Sequence, residues 1–404
     1  MTKGLRFGIY GLLVAGGIVF RLCNPVIDPE SRVLGRKAAA AGKSGELEIV
    51  SSPYRIDRMY RSMEGPSTVQ ERMRLSESHP DSATLFVTGV ESEVVDAQTL
   101  EKRSPEFFCH ANLTLCAATE TPEAHNGGFS PAVHADWRLF TLVPGKLGMK
   151  LPPGFGVPIH NKTRLDYLTM VLNQNQDVPV QDIRIRTRVT YADSSENIRP
   201  VFRRSVYVYQ SHKEGKETAM TIDPKEHQGE KCGESCKLDL KAAVPSVFAD
   251  LGIKNHPGAS CCVENASADG VMQQFGSNNT IHWMVPPGTH SYTTDVSKQM
   301  NLPYNTRAHY ITGHLHPTGV KLKLVDNSSG ATVAEIQSAD FKDKTGVQDM
   351  TEIVSQGGIP FKKDGQYSLV AEYNNTTGHP IDAMAILYLY LSEKPDGVEG
   401  LAAK

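Results

Sequence analysis

Apolar positions along the chain fall into short runs, several with a period of two. Val320-Lys-Leu-Lys-Leu-Val325 alternates apolar and charged, as a strand with one buried face does. Ile183–Tyr191 (IRIRTRVTY) alternates too, and with Arg203–Gln210 (RRSVYVYQ) it flanks a polar turn. Further β-type runs are Ser82–Gly89, Glu106–Cys116, Asp166–Asn175, Tyr367–Tyr373 and Asp382–Leu391. No long 3.6-residue period follows the leader, and there is no repeat of solenoid length. The 34 glycines and 24 prolines scattered among these runs supply many turns, which favours an all-β chain.

The pattern predicts two domains. The expected divisions are a leader (1–22), a linker and extension (23–80), a first β domain (81–200), a cysteine-containing connection (201–280), a second β domain (281–392) and a polar tail (393–404). Lys3 and Arg6 precede the uncharged run Phe7–Phe20, which suits a signal-peptide core and is short for a full membrane span of ~20 residues. No small-residue cleavage site follows closely, so a signal anchor is expected, with a cleaved signal peptide as the alternative. Either way the body lies on the extracytoplasmic side, tethered to the membrane or secreted.

Charge narrows the partners. A net charge of −3 gives no electrostatic case for nucleic acid, and which substrate, small molecule or peptide, the chain would take is not written in the sequence. Apart from Cys23 the cysteines are Cys109, Cys116, Cys232, Cys236, Cys261 and Cys262, an even set of disulfide candidates for an oxidising compartment. Sequons at Asn112, Asn161, Asn265, Asn278, Asn327, Asn374 and Asn375 agree with export and would make a glycoprotein.

The chemistry centres on His309–Asp326. His314 and His316 stand two apart in a β-rich run, so both imidazoles leave the same strand face, near enough to share one metal. Met384 opens the apolar run that follows Asp382, and its thioether suits Cu(I) and not zinc or calcium.

The sequence Met284-Val-Pro-Pro-Gly288, then HYITGHLH at His309–His316, then DAMAILYLY from Asp382 resembles the catalytic core of the copper type II, ascorbate-dependent monooxygenases. That family includes peptidylglycine α-hydroxylating monooxygenase and dopamine β-monooxygenase. The resemblance covers roughly residues 80 to 392. It implies two tandem antiparallel jelly-roll domains, each with one copper on an inner face, separated by a solvent-filled cleft. It also implies that His314, His316 and Met384 hold the copper that activates O2 for C–H hydroxylation, with ascorbate as reductant. Around the other copper of the family the chain departs from the pattern. Cys109-His110 stands where the family has two histidines, and Gly145–Ile159 resembles the turn ahead of a third. Asn173 occupies that third position, and His125, His134 and His160 lie off the motif. His110, with Cys109 as a thiolate or as the disulfide partner of Cys116, is therefore the remnant of that site. His309 and His379 are expected to support the ligands from behind. Two alternatives to a monooxygenase remain: a non-catalytic copper-handling protein on the same scaffold, and a metal-free β-sandwich module at the cell surface.

Overall fold

The computed structural model describes residues 32–38, 44–60, 65–115, 138–176, 178–211 and 279–392. The leader, the tail and most of the connection lie outside these residues. So do His125, His134, Cys116, Cys232, Cys236, Cys261 and Cys262.

The chain is all-β. In order the strands are β1 (Arg32–Ala38), β2 (Gly45–Val50), β3 (Tyr54–Ile56), β4 (Ser67–Met73), β5 (Thr84–Asp96), β6 (Phe108–Leu115), β7 (Arg138–Leu142), β8 (Gly148–Lys150), β9 (Phe155–His160), β10 (Leu165–Val171) and β11 (Gln181–Asp193). There follow β12 (Arg199–Tyr207), β13 (Gln210–Ser211), β14 (Asn279–Thr280), β15 (Trp283–Val285), β16 (Gly288–Asp295), β17 (Thr306–Leu315) and β18 (Gly319–Asp326). The last are β19 (Thr332–Asp340), β20 (Val347–Met350), β21 (Ile353–Phe361), β22 (Tyr367–Asn375), β23 (Ile381–Ala383) and β24 (Ala385–Ser392). Among the described residues α-helix is confined to the four-residue turn Ser297–Met300. No helix among them is long and apolar enough to cross a membrane.

Two sandwiches result. In the first, the strands β1-β2-β11-β5-β9 face the sheet β4-β10-β6-β7, and Leu47, Val87 and Ile185 share a core with Leu113, Phe140 and Tyr167. In the second, β12-β24-β17-β21 faces β16-β22-β18-β19-β20 around Ile311, Leu322, Leu369 and Leu389. Residues 45–73, read from sequence as extension, supply β2, β3 and β4 to the first sandwich. Val201–Tyr207, placed by sequence at the start of the connection, pairs with β24 in the second.

One sheet of 11 strands runs through both halves. The junction is a short parallel contact between β9 and β12, pairing Arg199 with Phe155 and Pro200 with Gly156. It leaves β24 and β17 covered on both faces. Leu387, Leu389 and Leu391 point into the second core, whereas Tyr310 and Tyr390 pack into the core of the first sandwich. This is why Ala383–Leu391 is continuously apolar and does not alternate, as for any strand buried on both sides.

The seam between the sandwiches is dense. Tyr390 Oη donates to the Leu139 carbonyl (2.9 Å), Met350 N donates to the Gly145 carbonyl (3.0 Å), and Lys146 pairs with Glu352 (2.7 Å). Gly145 has φ +78°, and a Cβ there would lie 2.6 Å from Val347 Cγ1, so this approach admits only glycine.

The sequons divide by burial. Asn112, Asn161 and Asn375 are buried, and Asn161 Nδ2 donates to the carbonyls of Ser76 (2.9 Å) and His79 (2.8 Å). Those side chains face the interior of the folded chain. Asn327 and Asn374 are exposed, while Asn265 and Asn278 lie outside the described residues.

Candidate metal centre at the seam

Strand alternation sends Tyr310, Thr312 and His314 of β17 to the seam face, and Ile311 and Leu315 to the second core. The chain then turns through His316-Pro317-Thr318-Gly319, closed by a bond from Gly319 N to the His316 carbonyl (3.1 Å). The His314 and His316 rings lie 5.1 Å apart between centroids, nearly perpendicular at 84°. Both are buried.

Met384 reaches the same face through the sheet register. His314 pairs with Ile386 and Leu315 with Ala385, and His316 N donates to the Met384 carbonyl at 3.3 Å. The fully buried Met384 side chain packs with Val143, Tyr207, Ile281, Ile386 and Tyr388. Tyr373 Oη donates to the Met384 carbonyl at 2.7 Å and so fixes the backbone there. Burial and the nearby Asp382 charge push the Tyr373 phenol well above its ordinary pKa, so it stays a donor.

The structure adds two residues to the site. Asp382 Oδ2 lies 2.8 Å from His316 Nδ1, and its Oδ1 lies 3.4 Å from His282 Nδ1. One ligand atom each from His282, His316 and Asp382 falls within 4.8 Å of the others, a group able to hold a metal ion. Burial opposes ionisation of Asp382, but the two imidazoles override it and hold the carboxyl far below its usual range. These residues converge because β15 pairs with β23, Trp283 opposite Ala383 and Met284 opposite Asp382.

His110 arrives from the other sandwich. Its ring centroid is 5.4 Å from that of His314, and the rings of His282 and His316 are 5.5 Å apart. Four imidazoles thus stand in a row across the seam, in the order His110, His314, His316, His282. At this point the two sandwiches meet in ring contact. Cys109 is a buried free thiol with Sγ 2.9 Å from His110 Nδ1, packed by Met170 and Leu172. Neighbouring strand residues ordinarily face opposite ways, but β6 carries a bulge: Phe108 pairs with Val171 and His110 with Met170, leaving Cys109 unmatched. His110, His314 and His316 line one small, narrow pocket, together with Glu106, Leu172 and Phe341.

The other expected residues lie elsewhere. Asn173 donates to the Arg58 carbonyl at 2.9 Å, a structural role. His160 stands at the end of β9, 3.4 Å from Thr84 Oγ1. His379 is exposed, with Nδ1 3.2 Å from the Pro380 carbonyl. His309 is the bulge residue of β17, between the pairs Ala308–Leu391 and Tyr310–Tyr390, so simple alternation does not set its direction. It stacks on Phe155 at 3.9 Å and binds the Ser355 carbonyl (3.0 Å) and Ser392 Oγ (2.8 Å). That places it about 16 Å along the strand from His314, at ~3.3 Å per residue.

No known family profile and no curated protein matches the chain. Among solved structures it is similar to the crystal structure of peptide-N(4)-(N-acetyl-β-D-glucosaminyl) asparagine amidase, at 9% identity and a TM-score of 0.34, over 87% of this chain and 97% of that one. It is also similar to recombinant peptide:N-glycanase F, at 9% identity and a TM-score of 0.32, over 85% of this chain and 96% of that one. A third likeness is to a chain of Sulfolobus turreted icosahedral virus, at 8% identity and a TM-score of 0.17, over 87% of this chain and 60% of that one. Overlaps this loose carry no argument about chemistry.

Proposed function

We propose that this chain is a copper-binding oxidoreductase of the monooxygenase type, acting at the seam where β17 ends. The observation that carries the reading is the placement of His314 and His316 on one buried face, with Asp382 on Nδ1 of His316 at 2.8 Å. A metal-bound imidazole commonly donates its second N–H to a carboxylate, which fixes the tautomer and presents Nε2 to the metal. The residues fit copper: two imidazoles, with a thioether brought to the same face by the register of His316 against Met384. Copper held there would supply one-electron chemistry toward O2, with an ascorbate-type reductant and C–H hydroxylation of a small-molecule or peptide substrate. The chain's own part is positional. Asp382 orients His316, Tyr373 fixes the Met384 carbonyl, and the apolar wall from Val143 to Tyr388 keeps water from the sulfur side.

The test is metal content with turnover. Purified protein loaded with copper and dialysed should retain it and consume O2 in the presence of ascorbate and a C–H substrate. M384I roughly conserves volume, so the fold should survive at a cost under ~1.5 kcal/mol while Cu(I) affinity falls. Parent protein that retains no copper would sink the reading.

A second reading is favoured by the His282–His316–Asp382 group itself. Two imidazoles and a carboxylate suit a metal held without redox chemistry, as in a non-catalytic metal-handling protein. H282A separates the two. It should abolish metal binding under the second reading and only weaken it under the first.

A further inference from the structure

We infer that the outer edge of β16 pairs with β16 of a second copy of this chain, joining two five-stranded sheets into one continuous sheet across a two-fold axis. The inference is independent of the metal reading.

A strand at the edge of a sheet presents a row of unpaired N–H and C=O groups, and folded proteins ordinarily guard it with charge, proline, a bulge or shortness. Of the strands that end the three larger sheets, all but one carry such a guard. β1 holds Arg32, Arg36 and Lys37 and a register shift between Val33 and Gly35. β21 loses its register between Val354 and Ile359 and contains Pro360. β4 places Glu71 and Arg72 at an irregularity, between the pairs Leu165–Met73 and Tyr167–Gln70. β7 and β20 are short, at five and four residues, and Met350 N at the end of β20 is already bonded to the Gly145 carbonyl.

β16 is the exception. Its eight residues run in unbroken register along β22, and among the described residues no strand takes its other edge. The sequence Gly-Thr-His-Ser-Tyr-Thr-Thr-Asp holds no Lys, Arg, Glu or Pro, and its single carboxylate, Asp295, stands last. Thr289, Ser291 and Thr293 are exposed. His290 and Tyr292 are half-buried, with Tyr292 against Trp283 at 5.2 Å between ring centroids.

The strand is also complementary to itself. Opposed residues of an antiparallel pair leave the same face of the sheet. A two-fold axis at Ser291 therefore sets Ser291 against its own copy, His290 against Tyr292 of the second copy, and Thr289 against Thr293 of the second copy. Aromatic pairs and Thr–Thr pairs stabilise neighbouring strands, and no like charges meet in this register. The two copies of Asp295 lie about 26 Å apart along the ladder at ~3.3 Å per residue, where salt screens their repulsion. An extended peptide of unrelated sequence would make the same main-chain bonds without these side-chain pairs. An eight-residue ladder is a small interface, which places the expected affinity in the micromolar range.

The experiment is sedimentation velocity on the full chain across the micromolar range, with hydrogen exchange of the β16 amides on the same samples. It compares the parent, S291K, S291E and an equal mixture of the two variants. The parent should pass reversibly from monomer to dimer, and its β16 amides should exchange more slowly as the dimer forms. S291K and S291E each set like charges face to face on the axis and should weaken association about tenfold. Mixing them sets opposite charges there and should restore it. Association through any other surface, the leader included, would not follow this pattern of charge. The inference is overturned by a parent that stays monomeric, by S291K that dimerises as tightly as the parent, or by a mixture no tighter than either variant. A monomeric parent with slowly exchanging β16 amides would overturn it by showing that another part of this chain covers the edge. Should the charged variants fail to fold, the parent decides alone: β16 amides whose protection does not rise with concentration overturn the inference.

Discussion

Thr318 has a left-handed backbone, with φ 69°, an unfavourable place for a β-branched side chain. It follows Pro317 in the turn that positions His316, where a type II turn ordinarily places glycine. The strain is held from two sides. Asp340 Oδ2 accepts Thr318 N at 2.6 Å, and Asn374 N donates to the Thr318 carbonyl at 2.9 Å. Residues in such conformations cost ~1–3 kcal/mol and tend to cluster at functional sites. T318G should therefore raise stability by about 1 kcal/mol, part of the relief being offset by the freer unfolded chain. Copper affinity should fall severalfold as the turn loosens. Thermal unfolding and calorimetry on one preparation check both, and a destabilised T318G would refute the strain. Little of this was legible in the sequence. The spacing of His314 and His316 fixed their common face, because it depends only on the strand period. Asp382 and His282 stand 100 positions apart, and only the pairing of β15 with β23 unites them. Nothing local to either residue announces the other.

At the scale of elements, two bulges separate what periodicity foretold from what the fold does. Cys109 in β6 and His309 in β17 are each an extra residue in their strands, and neither side chain follows alternation. The regular strands were readable, as β18 shows, with Leu322 and Leu324 buried between partly exposed lysines. β24 was readable as a strand but not in its surroundings, because an apolar run does not reveal what covers its second face. That second face gives a test. Tyr390 is fully buried, and its hydroxyl donates to the Leu139 carbonyl of the other sandwich at 2.9 Å. Y390F should cost ~1–2 kcal/mol, since it strips a buried carbonyl of its donor. Denaturant unfolding measures this, and a cost near zero would mean the bond contributes nothing to the seam. His309 gives another test. Burial lowers its pKa from the ordinary 6.5, with Arg199 and Arg307 adding to the depression and the Ser355 carbonyl opposing it. The unfolded chain then takes up the proton first, so the contribution of His309 is complete above about pH 6.5 and declines as pH falls below it. H309Q should make the loss of stability between neutral and mildly acidic pH shallower. Equal slopes for H309Q and parent would count against this placement.

For the whole molecule, the question is whether the sandwiches are two folding units or one. Their separate cores argue for two, and domains in tandem ordinarily fold alone. The seam argues for one. The sheet is continuous through β9 and β12, the first core includes Tyr310 and Tyr390 of the second sandwich, and Phe140 stacks on Tyr390 at 5.3 Å. A cut between Asn197 and Arg199 would expose the seam faces of β24 and β17 as a contiguous aromatic patch, of the kind that drives association in soluble proteins. The first sandwich would lose the two tyrosines that complete its core. We therefore expect the full chain to unfold in one cooperative transition, with equal midpoints by tryptophan fluorescence and by far-ultraviolet circular dichroism. The fluorescence reports Trp283 of the second sandwich, buried against Tyr292 and Tyr373, together with Trp137 just before β7. A fragment ending at Asn197 should be less stable than the parent by several kcal/mol, or associate, because burial of each large aromatic contributes ~1.5–3 kcal/mol. A monomeric fragment with the parent's midpoint would mean that the seam only brings two finished domains together. In that case the row of imidazoles across it would also be a contact between surfaces and not part of one folded core.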